Sequence, residues 1–515
     1  MIQNATFENP IIRGFHPDPS ICAVGKDFYL VNSTFSYFPG IPMFHSTDLV
    51  HWEQIGNTID RESQVDLTET ADSEGIYAPT IRFYQNKYYI ISSNEAHGGT
   101  FVITAENPEG PWSDPTFIKD ADGIDPSLYF ENGKCYYMGT HDNSAGSNYF
   151  GDNEIYLAEL DMKTFQFKES STPLWRGALR NVVWPEGPHI YKRGEYYYLL
   201  IAEAGTESHH AMTIARSKQL YGPYEGNPDN PILTHRNLGT DYPIANIGHG
   251  DFVRAYTDDW YFVCLGSRKC EGVVNTGRET FVGHIKWEDD WPVLNPGIGK
   301  IEDQGEINLP ENNLFSLKKR IEFKNSTIDF ACLFLRNPIT KNYQISNSNS
   351  LILKGSQKKL TELSSPTFIG IRQTSMSEVF EIALSDYKNS ESEVGLAVYQ
   401  SNEAHVKFYI VDDHGQQKLR ITKIAKGTET NVYSQDIQDK IKVLAVKQKS
   451  QTLNFGYLTQ NSSEYVWLTL DLDSKFLSTE LAGGFTGCVH GAYITSKTSF
   501  VDDYVEVKYF ATSEV

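Results

Sequence analysis

The apolar residues of this chain fall in short runs separated by polar breaks, and five of those runs share one plan. They are DPSICAVGKDFYLV from Asp18, APTIRFYQNKYYII from Ala78, DPSLYFENGKCYYM from Asp125, EGPHIYKRGEYYYLL from Glu186 and HGDFVRAYTDDWYFV from His249. Each opens on a leading residue with Pro or Gly, enters a short apolar strand, breaks at a polar turn and resumes as an aromatic strand. The turns carry Gly-Lys-Asp, Gln-Asn-Lys, Asn-Gly-Lys, Arg-Gly-Glu and Thr-Asp-Asp, which suit the tight reversals of β-hairpins. The copies start roughly 50 to 60 residues apart, room for about four strands each. Five such units predict a five-bladed β-propeller.

The pattern changes after a Pro/Gly/Asn-rich stretch around residues 295–313, where a linker between domains is expected. Beyond it come many short alternating segments, among them IDFACLFL, TFIGIRQ, VGLAVYQ, HVKFYIV and YVWLTLDL, divided by turn-like polar stretches. That alternation predicts an antiparallel β-sandwich. The expected organisation is all-β: a propeller over 1–305, a linker over 306–320 and a β-sandwich (jelly-roll, concanavalin-like) over 321–515.

Radial repetition carries this pattern into chemistry. The innermost strand of each propeller blade lines the axis, so equivalent repeat positions face one another. Asp18, Ala78, Asp125, Glu186 and His249 are therefore expected in one ring at one end of the channel. Turn punctuation would account for any one Asp-Pro or Glu-Gly-Pro. It accounts less well for two Asp, one Glu and one His at the same repeat position. Carboxylates gathered in one pocket push their pKa values apart. That suits acetal cleavage, in which a protonated carboxyl supplies the leaving group's proton and an ionised one activates water; inverting glycosidases separate the two by about 6.5–9.5 Å. A zinc cluster is poorly supported by one His and no thiol. A hydrated Ca²⁺ near His249 is the one metal candidate, and no cofactor is expected to be required. No phosphate loop, Gly-x-Ser-x-Gly elbow or His-Glu-x-x-His helix occurs in the sequence.

Composition narrows the partners. With 515 residues, two domains are expected. Aromatic residues reach 13%, and flat rings stack on sugars or bases. A net charge of −21 argues against nucleic acid and favours a neutral or cationic ligand. The N-terminal MIQNATFENP has neither a basic n-region nor an apolar h-region, and no run approaches a membrane span, so a cytoplasmic protein without membrane contact is expected. Six cysteines without a C-x-x-C, three of them inside apolar strand-like runs, are expected to be reduced, buried thiols. His209, His210, Asp289, Asp290 and the Lys-rich patch after 352 suggest only solvated surface. Association into a homo-oligomer is left open.

NPIIRGFHPDPSICAVGKDFYLVNSTFSYFPGIPMFHSTDLVHWEQIG resembles the start of glycoside hydrolase family 43. GIYAPTIRFYQNKYYII, GIDPSLYF, WPEGPHIYKRGEYYYLLIAEAGT, IGHGDFV and GRETFVGHIKWEDDWPVLNPG resemble its later blocks, in order, over residues 7–300. The resemblance implies a five-bladed propeller that inverts at the anomeric carbon and releases arabinofuranose or xylose from plant cell-wall glycans. It implies Asp18 of HPDPS as general base, Glu186 of PEGPH as general acid, and Asp125 of GIDPS as the acid that orients Glu186 and tunes its pKa. It implies Arg278 of GRET as a sugar-binding arginine and His249 of GHGDF as an axial histidine that often holds water or calcium. Phe35 of NSTF, Tyr77 and Ala78 of GIYAP, and Thr206 of EAGT match the walls of the sugar pocket. FLRNP, PTFIGIRQ and GGFTGCVHGAYITS resemble the C-terminal sandwich of family 43 β-xylosidases and arabinofuranosidases, which implies Phe485 at the pocket mouth.

A pocket capped by the sandwich would admit a chain end. The expected activity is thus exo-cleavage of terminal α-L-arabinofuranosyl units from neutral arabinoxylan or arabinan oligosaccharides. A β-D-xylosidase on the same groups is the alternative. A non-catalytic carbohydrate-binding protein is more remote, since it does not need the acids.

Overall fold

In a computed structural model the chain is described over residues 3–180, 183–312, 319–324, 327–390, 392–498 and 502–515. Five antiparallel sheets follow one another in sequence order. Each is a meander of four strands, and the fourth adds a short strand, Leu233–Thr234. The first sheet runs Ser20–Val24, Asp27–Val31, Gly40–Ser46 and Glu53–Ile59. The first strands of the five sheets are Ser20–Val24, Thr80–Tyr84, Ser127–Glu131, Glu186–Arg193 and Ile244–Arg254. Each packs on the next, and the last returns to the first, so the sheets close into a ring.

Small hydroxyls stitch this ring. Thr80 Oγ1 donates to the Pro126 carbonyl at 3.0 Å, and Ser127 Oγ donates to the Pro188 carbonyl. Ser20 Oγ donates to Asp251 Oδ2 at 2.7 Å. The Ser or Thr after each leading Asp-Pro or Ala-Pro thus spends its hydroxyl on a neighbouring sheet. Asp251, fully buried, also accepts from Arg82 at 2.8 Å and from the Tyr191 hydroxyl. Arg82 in turn meets His189 Nδ1 at 2.9 Å. Burial alone would raise the Asp251 carboxyl; the Arg82 charge, with His189 and the Tyr191 hydrogen bond, instead holds it well below the usual carboxylate range. A buried charge persists only when so satisfied.

Strand Asn4–Glu8 pairs with Gln304–Pro310, and Asn9 Nδ2 donates to the Val282 and Glu302 carbonyls at 2.9 Å, tying the chain start to the fifth sheet and to the segment just after it. This corrects the expected linker: residues 306–310 are strand, and 313–318 lie outside the described residues.

The second unit is two antiparallel sheets face to face. One contains Thr367–Arg372, Val489–Ser496, Ser392–Ser401 and Ala404–Asp413; the other is built on Tyr504–Glu514, Ser377–Lys388, Ile441–Lys449 and Thr452–Thr459. Alternate apolar residues from both meet in one core, with the Phe408 and Phe455 rings 5.3 Å apart. The units are joined by backbone pairing of Tyr37–Phe38 with Phe334–Leu335. Beside that seam, the fully buried Arg336 bonds Asp72 Oδ1 at 2.9 Å and the Thr70 carbonyl at 2.6 Å. Five of the six cysteines are buried, and Cys270 is half-buried. Among the described residues, no helix is long and apolar enough to cross a membrane.

Candidate active site

At one end of the ring, several residues sit in the left-handed region: Asp18 at φ 51° and Asp125 at 54°, each just ahead of a first strand, and Gly187 at 59° and His249 at 45°, each within one. Asp and His enter this region more readily than most residues. These four lie two residues before Ser20, Ser127, His189 and Asp251, and Ala78 lies two before Thr80. The ring is therefore Asp18, Ala78, Asp125, Gly187 and His249, which corrects the expected equivalence of Glu186 with Asp18. Glu186 stands one residue upstream, paired with Ala202, and a register shift separates it from His189. Glycine suits position 187 on two counts: its φ of 59°, and a Cβ that would crowd His249 Cε1 at 3.1 Å.

The groups so gathered act on one another. Asp18 Oδ1 accepts from Arg278 Nη1 at 2.9 Å, and Asp18 Oδ2 accepts from Ser33 Oγ at 2.5 Å. The same Arg278 nitrogen donates to Thr206 Oγ1 at 2.8 Å. Asp18, Asp125, His249 and Arg278 are buried, while Glu186 keeps partial exposure. Burial first, then the Asp18 charge, push the Glu186 carboxyl up to about 8, with Arg278 opposing. Burial, then the charges of Glu186 and Asp18, also hold Asp125 well above the usual carboxylate range. His249 Nδ1 faces Asp125 Oδ2 at 3.6 Å, and burial lowers the histidine.

Three rings wall this cluster. Phe35 stacks on Phe485 at 5.8 Å, and Tyr77 meets Phe35 edge-on at 5.2 Å and Phe485 at 6.4 Å. The Arg278 guanidinium lies 5.7 Å from the Phe35 centroid and 5.4 Å from that of Phe485. Phe485 comes from the second unit, so both units contribute to one site. The arrangement holds a carboxyl protonated near neutral pH beside an acid paired with arginine, within an aromatic enclosure suited to a sugar.

Sequence comparison points the same way. The family model described as Glycosyl hydrolases family 43 matches residues 7–292, and that described as Beta xylosidase C-terminal Concanavalin A-like domain matches residues 320–513. The chain belongs to glycoside hydrolase family 43. It is a glycosidase, and its C-terminal unit is the concanavalin-like domain that accompanies this family. The chain is 42% identical to a xylosidase/arabinosidase of Butyrivibrio fibrisolvens, covering 98% of this chain and 99% of that protein. It is 36% identical to the non-reducing end alpha-L-arabinofuranosidase BoGH43B of Bacteroides ovatus, over 95% of this chain and 91% of that protein. The solved structure of Bacteroides ovatus Xyloglucan PUL GH43B superposes with a TM-score of 0.91 at 34% identity, over 99% of this chain and 100% of that one.

Several residues of this family 43 site carried no signal that sequence reasoning used. Ser33 belongs to Asn32-Ser33-Thr34, a polar run with no exposure that directly follows an apolar strand. Fully buried polar residues need partners, but burial is not visible in sequence. Trp184 lies over Gly205, where a Cβ would come within 2.9 Å of its ring, and meets Phe150 edge-on at 5.5 Å. Phe150 is 83% exposed, so the pair forms an aromatic rim beside Glu186. His210, expected as solvated surface, is 1% exposed; its Nδ1 lies 2.9 Å from the Asn246 carbonyl oxygen, and burial lowers its pKa to about 3. Among the described residues, no three His, Cys, Asp or Glu side chains form a group that could hold a metal ion.

Proposed function

We propose that this family 43 glycosidase is exo-acting and inverting, and that it removes terminal α-L-arabinofuranosyl residues from neutral arabinoxylan or arabinan oligosaccharides. In this proposal the five sheets are the blades of a propeller whose axis carries the acids. Glu186 gives its proton to the departing glycosidic oxygen. Asp18 takes a proton from a water that attacks the anomeric carbon from the opposite face, yielding a free alcohol and an inverted hemiacetal. Asp125 helps keep the Glu186 proton in place, and Arg278 and Thr206 orient Asp18 and the sugar hydroxyls. The observation that carries this is the buried Arg278–Asp18 pair at 2.9 Å in one cluster with Glu186, whose carboxyl burial and the Asp18 charge push up to about 8. Closure of the aromatic wall by Phe485 favours a terminal sugar over a chain interior.

The arabinofuranosyl preference draws on the likeness to BoGH43B at 36% identity. A β-D-xylosidase is the second reading, favoured by the name of the Butyrivibrio relative, a xylosidase/arabinosidase. Turnover of 4-nitrophenyl α-L-arabinofuranoside and β-D-xylopyranoside compares the two, and proton NMR of the first product reads the anomeric outcome. Faster xyloside turnover selects the second reading, and a retained configuration overturns the assignment of Asp18 as base. A cytoplasmic location, acting on imported oligosaccharides, belongs to the same proposal and is checked by cell fractionation.

A further inference from the structure

Phe485 is the one wall residue supplied by the second unit, and packing alone holds it weakly. The residue is 37% exposed, and it follows two glycines in the left-handed region, Gly483 at φ 79° and Gly484 at φ 81°. Its anchor is polar and lies in the first unit. Ser73 Oγ accepts the Phe485 backbone N–H at 2.9 Å, and the Ser73 carbonyl accepts the Tyr77 hydroxyl at 3.1 Å. One serine thus touches two of the three wall residues. The approach is close enough that a Cβ on Gly484 would lie 2.3 Å from Ser73 Oγ.

Asp72, the residue before it, is fixed from the second unit. It accepts from Arg336 at 2.9 Å, from the Tyr399 hydroxyl at 3.0 Å and from the Asn402 backbone N–H at 2.7 Å. Between those two anchors, Gln400 Nε2 donates to the Gly483 carbonyl at 3.0 Å, and the Gln400 carbonyl accepts from Thr486 Oγ1 at 3.3 Å. The end of strand Ser392–Ser401 and the residues after it therefore grip both the Asp72–Ser73 segment and the Phe485 loop.

We propose that Ser73 is a positioning residue of the sugar site. By holding the Phe485 backbone it sets the Phe35–Phe485 wall, so that docking of the second unit at Asp72 completes the pocket. The inference rests on the proposed reading that this pocket receives the terminal sugar. Ser73 touches no reacting group; it acts through Phe485.

A double-mutant cycle tests it, with wild type, Ser73→Ala, Phe485→Ala and the double variant assayed on whichever aryl glycoside the wild type turns over. Loss of one ordinary hydrogen bond in Ser73→Ala should raise KM about 5-fold while kcat stays within about twofold. In the Phe485→Ala background the serine change should do nothing further, because the residue it positions is gone. An unchanged KM in Ser73→Ala, or factors that multiply in the double variant, overturns the proposal. If Ser73→Ala lowers thermal stability appreciably, Gln400→Ala reaches the same loop from the other side and must show the same silence without Phe485. Should the wild type turn over neither glycoside, the functional reading fails separately. Amide hydrogen exchange at Phe485 then judges whether Ser73 holds the Phe485 backbone: faster exchange in Ser73→Ala supports it, and unchanged exchange overturns it.

Discussion

Arg278 Nη1 lies 2.9 Å from Asp18 Oδ1, a buried ion pair between residues 260 positions apart. The pair joins the approach to the first sheet with the third strand region of the fifth, across the seam where the ring closes. Its charge also opposes the rise of Glu186 and Asp125.

Arg278→Met therefore has two effects of defined sign. It leaves Asp18 buried without its cation, and kcat/KM should fall by about a hundredfold or more. It also removes a group that lowers Glu186, so the alkaline limb of the residual activity should move to higher pH. A limb that stays in place or moves down would contradict the assignment of Glu186 as acid.

Asp18→Asn and Glu186→Gln should each reduce hydrolysis by about a thousandfold or more, with unchanged circular dichroism. In the wild type, activity should decline as pH rises through about 8, where Glu186 gives up its proton. In Asp18→Asn the neighbouring charge that raises Glu186 is gone, so the limb of any remaining activity should shift to lower pH. Coupled acids titrate as a set, so the limb reports the cluster and not one carboxyl.

Glu186→Gln should also stabilise the fold. A carboxyl raised from 4.5 to about 8 favours the folded state fully only below 4.5, and that contribution is lost as pH climbs to about 8. The glutamine carries no such dependence. Its melting temperature should exceed that of the wild type by roughly 2 °C or more at pH 8, with the difference shrinking toward pH 4.5. Equal melting temperatures at pH 8 would count against the burial of this acid.

Asp72→Asn should cost about 3 kcal/mol by chemical denaturation, because it leaves the fully buried Arg336 without a counter-charge. Adding Arg336→Met should recover much of the loss. A single variant that matches the wild type would show that the two units do not depend on this pair.

Phe150→Ala and Trp184→Ala should raise KM for oligosaccharides by several-fold, each removing a ring from the exposed rim beside Glu186. Aryl glycosides place less sugar beyond the cleaved bond and should respond less. Equal changes on both substrate types would place the rim outside the leaving-group path.

The repeat around Asp18, Ala78, Asp125, Glu186 and His249 was legible because hairpins are written locally: a few apolar residues, a turn and an aromatic strand specify each one. The acids stood out for the same reason, as odd residues in a repeating frame. Glu186 was found but aligned one residue out, since the irregularity between it and His189 leaves no mark in EGPHIY. Ser33, His210 and the Trp184–Phe150 rim stayed silent, because burial and ring-to-ring contact depend on which sheet lies opposite.

The sequence by itself therefore determined the strands, the turns and the set of acids, all products of interactions within a few residues. Tertiary structure decided that Arg278 meets Asp18, that Gly187 and not Glu186 holds the ring position, and that Ser73 of one unit carries Phe485 of the other. Those pairings arise from ring closure and domain docking, where distant surfaces fit together as whole bodies, and no local pattern of residues encodes such a fit.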